Sequence, residues 1–460
     1  MTERRLFELS ECLVEPGQET AAVTPVAGIP RLRVACRDQV VMRMLALDQM
    51  LPPDDEARTV VAFVEQADLS ELYDSIRAVE GGPGRSPIDP QILLSLWLYA
   101  TIKGVGSARA LERQCQFHLA YQWICGDVSV NYHTLSDFRV DHAEVLDRLL
   151  TRQIAQLMSV GAVTLERVAQ DGVRVRASAG TSSFRRKPTL EEYLVAAETQ
   201  VTSLQEEVRN DPGAATRREQ AARVRAARER EQRVRDALEA CAEVQAAKEQ
   251  RGRDSLKQPA RGSTTDPDAR KMKMPDGGTR PAFNVQFATD TASQVIVGVD
   301  ALTAGSDCGQ LSPMSAQIES RTGQRPQAHL ADGGYTSNDD IDELNDPGDD
   351  PGDGPKIYLP VREAEKKRAK GLDPFAALPS DTPQRSEWRQ RMGTEAAQAI
   401  YKERASTAEC VNALARQRGL TQFRVRGLSK VKIIATWFAL AHNVLRWAFF
   451  QAHPRMAASR

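Results

Sequence analysis

The chain has no acidic residue after Glu409. In that last stretch Arg416, Arg418, Arg424, Arg426, Lys430 and Lys432 follow one another closely. The net charge is only −1, so the overall balance does not mark a nucleic-acid binder. A local run of cations without acids can nevertheless neutralise phosphates. Cysteine is scarce too. The seven cysteines are scattered, odd in number and form no C-x-x-C pair. That excludes a disulfide scaffold and fits a reducing, cytoplasmic setting. Cys115, His118, Cys125 and His133 match no standard zinc spacing. No uninterrupted run approaches the ~18 apolar residues of a bilayer span. The most apolar stretch, "IIATWFALAHNVL" from Ile433, is broken by His442 and Asn443 and reads as a buried helix. The polar N-terminus lacks the apolar core of a secretory signal. Without a G-x-x-x-x-G-K-[ST] motif, ATP use is unsupported.

What is present is enough for a core. The chain has 460 residues and 41% apolar residues, which suits two or three packed domains. Residues 1–59 form a segment without a readable role; "RLRVACRDQVVMRML" could be a strand and a helix. Residues 60–160 read as a helical, DNA-binding domain. "QILLSLWLYATIKGVG" is an apolar helix ending at Gly104. "SARALERQCQFHLAYQWICG" opens on a Ser107 cap. "NYHTLSDFRVDHAEVLDRLLTRQIAQLMSVGAV" reads as one long helix entered at Thr134 or Ser136. A short turn before it has the plan of a helix-turn-helix, with His133, Thr134, Ser136 and Arg139 as candidate DNA contacts.

From 161 to 460 the period changes. "LERVAQDGVRVRAS" alternates and is rich in Val, as a strand should be. Strands also read at "AFNVQFATD", "SQVIVGVDA", "PQAHLADGGYTS" and "KIYLPV", with a helix at "CGQLSPMSAQIESRTG" and an acidic loop at "NDPGDDPGDGP". The resulting class is α/β, a mixed sheet with flanking helices. A charged segment at about 181–260, typified by "EQAARVRAARERE", interrupts it as a helical insertion.

Two acids, Asp171 and Asp332, stand at strand exits, each followed by glycine, which permits close approach. Asp276 and Asp300 are weaker strand-end candidates, and His329 reads as a core residue. On "YKERASTAECVNALARQRGL", Tyr401, Arg404, Glu409 and Arg416 lie within about 140° of one another if the helix is continuous. Three carboxylates could hold two Mg²⁺ ions, which prefer hard oxygen ligands.

Asp171, Asp332 and Glu409, in this order along these strands and this helix, resemble the RNase H-like core of bacterial insertion-sequence transposases of the DDE type. Tyr401, Arg404 and Glu409 match their Tyr-Arg-Glu-Lys signature. Arg416 stands where Lys is usual, and the Arg404-to-Glu409 spacing is one residue longer than in the best-known form. "STTDPDARKMKMPDGG", "QFRVRGLSKVK" and "SPIDPQILLSLWLYATIKGVGSARALE" resemble one branch of the family. The resemblance implies a catalytic trio of Asp171, Asp332 and Glu409. It implies two Mg²⁺ ions with Mn²⁺ as a substitute, and Tyr401, Arg404 and Arg416 facing phosphate. The implied partners are double-stranded DNA with terminal inverted repeats, target DNA and a second copy of the chain, without a membrane. Arg424, Arg426, Lys430 and Lys432 alternate, so an extended segment would place them on one side, with no acids nearby, for phosphate contact. The alternatives are a catalytically inactive DNA-binding regulator and a structure-selective RNase H-like nuclease.

Overall fold

The computed structural model describes residue 44 and residues 46–78, 86–210, 216–251, 259–345 and 355–454. Apart from Met44, Asn345 and Pro355, the stretches "RLRVACRDQVVMRML" and "NDPGDDPGDGP" lie outside the described residues.

Eight helices come first: α1 (Leu47–Met50), α2 (Glu56–Gln66), α3 (Ser70–Asp74), α4 (Pro90–Ile102), α5 (Ala108–Phe117), α6 (Leu119–Cys125), α7 (Tyr132–Asp141) and α8 (Ala143–Ser159). Asp89 caps α4 by accepting the Gln91 N–H, and Pro90 occupies the first turn, where no N–H is needed. Leu93 to Ala100 are all buried, so α4 has no polar face and needs protein on every side.

The expected single helix after Asn131 is two helices. Asn131, not Thr134 or Ser136, caps α7, and the chain breaks at His142 before α8. Arg139 also departs from its expected role as a DNA contact. Its guanidinium turns inward, donates to the Gly106 carbonyl at 2.7 Å and lies 4.4 Å over the Trp97 ring. Burial pushes it down to about 10. A planar cation on an indole face gains enough from packing to stay inside.

The sheet contains β1 (Arg167–Arg176), and the small pair β2 (Phe184–Arg185) and β3 (Gly262–Ser263) stands apart from it. Between these two short strands run α9 (Lys187–Asn210) and α10 (Arg217–Arg251). They pair as the expected charged hairpin, and no strand of the main sheet lies in the described part of 181–260. Its seam is thin: Leu190, Ala237, Cys241 and Ala260. Arg235 pairs with Glu198 across the two helices at 2.5 Å, and Arg223 with Glu207 at 3.1 Å.

The main sheet continues with β4 (Arg270–Lys273), β5 (Thr279–Asp290), β6 (Ile296–Leu302), α11 (Leu311–Thr322), β7 (Ala328–Leu330), α12 (Asn338–Leu344) and β8 (Lys356–Tyr358). Its order is β4-β5-β1-β7-β8, with β6 also on β5. The β6-β5-β1 part is antiparallel, while β1, β7 and β8 run parallel. This is the RNase H-like mixed sheet expected, with its switch of direction at β1. The chain ends with α13 (Ala364–Ala369), α14 (Pro383–Met392), α15 (Glu395–Arg404), a π-helical turn (Ala405–Glu409), α16 (Cys410–Gln417) and α17 (Leu428–Ala452).

One apolar core runs from α2 and α4 through α8 and β5 to α17. By length and mean hydropathy α17 would qualify as a membrane span, contrary to the count of uninterrupted apolar residues; 72% of its apolar window is buried inside the protein. Its start is fixed by the "STTDPDARK" block, since Asp266 accepts the Gly427 N–H at 3.2 Å and Asp268 the Leu428 N–H at 2.7 Å. These are backbone donors that a helix start leaves without partners.

Candidate active site

Asp171 projects from β1 at the centre of the sheet. Val168 pairs with His329, and Ala169 with Leu330, in the parallel β1–β7 ladder. Continuing that register two residues brings Asp171 beside Asp332, which follows β7. Asp332 accepts the Gly334 N–H at 2.7 Å and so starts a tight turn. Burial pushes Asp171 up to about 6; the Gly172 N–H opposes this, Asp332 and Asp307 add to it, and Arg404 opposes it. Unlike the acids, His329 is fully buried on β7 and pushed down to about 4 by that burial, so it is uncharged at neutral pH.

Glu409 is turned toward Arg404 by a detour in the helix, with its side chain 62% exposed. The five residues Ala405–Glu409 form a π-turn, closed by i→i+5 bonds, between α15 and α16. Its inner residues, Thr407 and Ala408, are buried. Gln294 donates to Thr407 Oγ1 at 3.2 Å, and Glu403 pairs with Arg167 of β1 at 2.7 Å. The turn absorbs the extra residue between Arg404 and Glu409. Arg404 Nη2 consequently lies 3.3 Å from Glu409 Oε1, and its Nη1 3.7 Å from Asp171 Oδ2. Arg404 also stands over Tyr401, 6.0 Å from the ring centre. Burial pushes the Tyr401 hydroxyl up, with Arg404 opposing and Asp332 and Asp171 adding.

Arg404 thus links Asp171 to Glu409 and stands over Tyr401, while among the described residues the three acids do not close on one point. Arg416 is exposed on α16. The basic segment is not the alternating strip expected. Thr421 and Phe423 bond the backbone of Arg176 beside the end of β1. Arg424 and Arg426 follow exposed, Arg426 donating to the Ser178 carbonyl. Lys430 and Lys432 instead lie on α17, where positions two apart point about 200° from each other. Nor is the segment free of acids: Lys432 pairs with Asp300 at 2.8 Å.

The sequence reading missed Asp307. It lies in the loop between β6 and α11 and accepts from Asn284 Nδ2 at 2.6 Å and Gln286 Nε2 at 2.7 Å. The only local hint was two amides, Asn284 and Gln286, in the middle of an apolar strand.

Two family models match the chain. Residues 45–141 match a transposase domain, and residues 376–448 match a transposase DDE domain. Together they support an insertion-sequence transposase of the DDE type. The second match contains Tyr401, Arg404, Glu409 and the basic segment; neither match reaches Asp171 or Asp332. No curated protein and no solved structure matches the chain.

The π-turn yields a length prediction for this transposase. Deleting Ser406, an exposed residue, converts the turn to α-helix and leaves Glu409 facing Arg404. Cleavage of element-end DNA is expected to stay within about tenfold of the parent. Inserting one Ala after Arg404 rotates Glu409 away by about 100° and is expected to abolish it. Equal losses from both changes in a nicking assay would show that the turn does not set the direction of Glu409.

Proposed function

We propose that this cytoplasmic transposase binds the terminal inverted repeats of its own element, hydrolyses a phosphodiester there and joins the freed 3′-hydroxyl to target DNA. The observation carrying this reading is Asp171 and Asp332 side by side at the direction switch of the sheet, with Glu409 tethered to Asp171 through Arg404. The donor set suits a hard divalent cation. Asp332 and Asp307 crowd like charge onto the largely buried Asp171, and the Arg404 guanidinium stands between Asp171 and the exposed Glu409 as a cation. Among the described residues no three acidic, His or Cys side chains close on a single point, so Glu409 and Arg404 must shift for all three acids to share an ion. Mg²⁺, with Mn²⁺ as a substitute, supplies activation of the attacking oxygen and neutralisation of charge at the phosphate when bound.

The chain's own residues do the rest. Asp171 and Asp332, on adjacent parallel elements, hold the ions, with two ions expected. Glu409 completes the set from the helix. Arg404 has a planar fork that suits two phosphate oxygens, and moving it onto DNA frees Asp171 and Glu409. Tyr401 packs beneath it and limits where it swings. Arg416, Arg424, Arg426 and Lys430 grip the backbone of the duplex. Two copies of the chain acting together would hold the two element ends.

The test is a supercoiled plasmid carrying the element's ends, incubated with protein and Mg²⁺. Nicking that leaves a 3′-hydroxyl, followed by joined products, supports the reading. A mobility shift without nicking would make the protein a regulator, and nicking without joining a nuclease. For the basic segment, Arg424→Ala or Lys430→Ala is expected to weaken binding to all DNA sequences alike and to lower the salt slope by about 1. Lys432→Ala is expected to do less, because Asp300 already holds that ammonium. A loss confined to the cognate repeat would instead indicate base readout.

A further inference from the structure

We propose that Asp307 supplies a fourth carboxylate to the cleft and tightens its hold on a divalent cation. This rests on the metal-dependent reading above. Asp307 Oδ1 is fixed by the two β5 amides, Asn284 and Gln286, which lie opposite Arg174 and Gly172 of β1. Gln286 is itself oriented: its Oε1 accepts from Gln170 Nε2 at 3.1 Å and from the Tyr335 hydroxyl, so its Nε2 is left to donate to Asp307. Gly172 makes the room for this cradle. A Cβ there would lie 2.5 Å from Gln286 Nε2, 2.6 Å from Asp307 Oδ1 and 2.7 Å from Asn284 Oδ1. The glycine after Asp171 thus admits the protein's own polar side chains.

The second oxygen is aimed at the acids. Asp307 Oδ2 has no hydrogen-bond partner among the described residues. It lies 3.8 Å from the point a Gly334 Cβ would occupy, and Asp332 Oδ1 lies 2.9 Å from that same point. Asp307 also adds its charge to those acting on Asp171 and Tyr335. A neutral asparagine could accept from both β5 amides equally well and would spare the cluster a like charge. A carboxylate is the better choice only where a cation is to be held.

The experiment titrates Mn²⁺ into the full-length, DNA-free protein and follows the free-ion signal by electron paramagnetic resonance, with thermal unfolding recorded in parallel. Asp307→Asn keeps the acceptor and removes the charge. It is expected to weaken Mn²⁺ binding roughly tenfold or more, as for groups supporting a metal's direct ligands, without lowering the unfolding midpoint. Asp307→Ser, which is smaller and neutral, is expected to show the same loss. Mn²⁺ binding at parental affinity in both variants, with binding lost in Asp171→Asn, would overturn the proposal and leave the metal-dependent reading standing. No Mn²⁺ binding by the parent protein, either alone or with a short duplex carrying the element end, would overturn both.

Discussion

Asp171→Asn, Asp332→Asn and Glu409→Gln are each expected to reduce Mg²⁺-dependent nicking of element-end DNA by at least about 10³-fold, while mobility shifts with the same DNA persist. The size follows from what a carboxylate-held ion contributes: several kcal/mol of charge stabilisation at the reacting phosphate, at about 1.4 kcal/mol per factor of ten. Binding is expected to survive because the exposed cations proposed to grip the backbone lie elsewhere, on α16, the extended segment and α17. A variant that keeps near-parental nicking removes its residue from the trio.

The same substitution has an opposite effect on stability at Asp171. Its folded value, about 6, lies above the ordinary 3.8. The folded state therefore binds the proton more tightly. That stabilising contribution is complete below about pH 3.8 and is lost as pH rises through about 6. At pH 7 the ionised, four-fifths buried side chain costs on the order of 2–3 kcal/mol, which Asn would not. Asp171→Asn is expected to unfold at a higher temperature than the parent at pH 7 without divalent ions, and the gap is expected to narrow at pH 5. A lower midpoint at pH 7 would mean that the Asp171–Arg404 contact stabilises more than the crowding costs.

The second large effect concerns Asn443→Ala. Ile296 lies on β6, which pairs on one side only, with β5. Its outward N–H donates to Asn443 Oδ1 at 2.9 Å, and its carbonyl accepts from Asn443 Nδ2 at 2.8 Å. One fully buried side-chain amide thus replaces the missing neighbouring strand and pins α17 across the sheet. Removing it strands two buried backbone groups at about 1–3 kcal/mol each. The expected loss is about 2–5 kcal/mol, read as a shift in the urea midpoint. Thr436→Ala, which removes only a bond to the carbonyl one turn back in the same helix, is expected to stay within about 0.5 kcal/mol. A shift no larger than that control would show that water satisfies Ile296 when Asn443 is gone.

Much of this was legible in the chain because periodicity is local. Val at alternating positions makes β1 a strand wherever it lies, and an Ala, Arg and Glu tract without aromatics reads as a thinly packed helical insertion, a hairpin or a coiled coil; the structure shows the hairpin. Asp332 stands at a strand exit as expected, just after β7, but Asp171 lies in the middle of β1 and not at its exit; there only the following glycine marked the close approach of other groups. The block around Tyr401 carried its own signature, and the interruption of the apolar stretch by His442 and Asn443 foretold burial.

The tertiary structure decided the rest, because each remaining feature depends on a partner far away in sequence. The π-turn has no propensity of its own; Gln294 and Arg167 hold Thr407 and Glu403 against the sheet, and the extra residue bulges to suit. Arg139 is long enough to reach a phosphate or to fold back on an indole, and only the placement of Trp97 settles which. Lys432 counted as unneutralised until Asp300 came beside it from β6. Asp307 carries no motif, and its meaning comes from two amides on another strand and from the acids of β1 and the turn after β7. Local sequence sets which element forms and which residues it can offer. Long-range packing sets where a flexible polar side chain points, because its choices differ by only a few kcal/mol until a partner is fixed nearby.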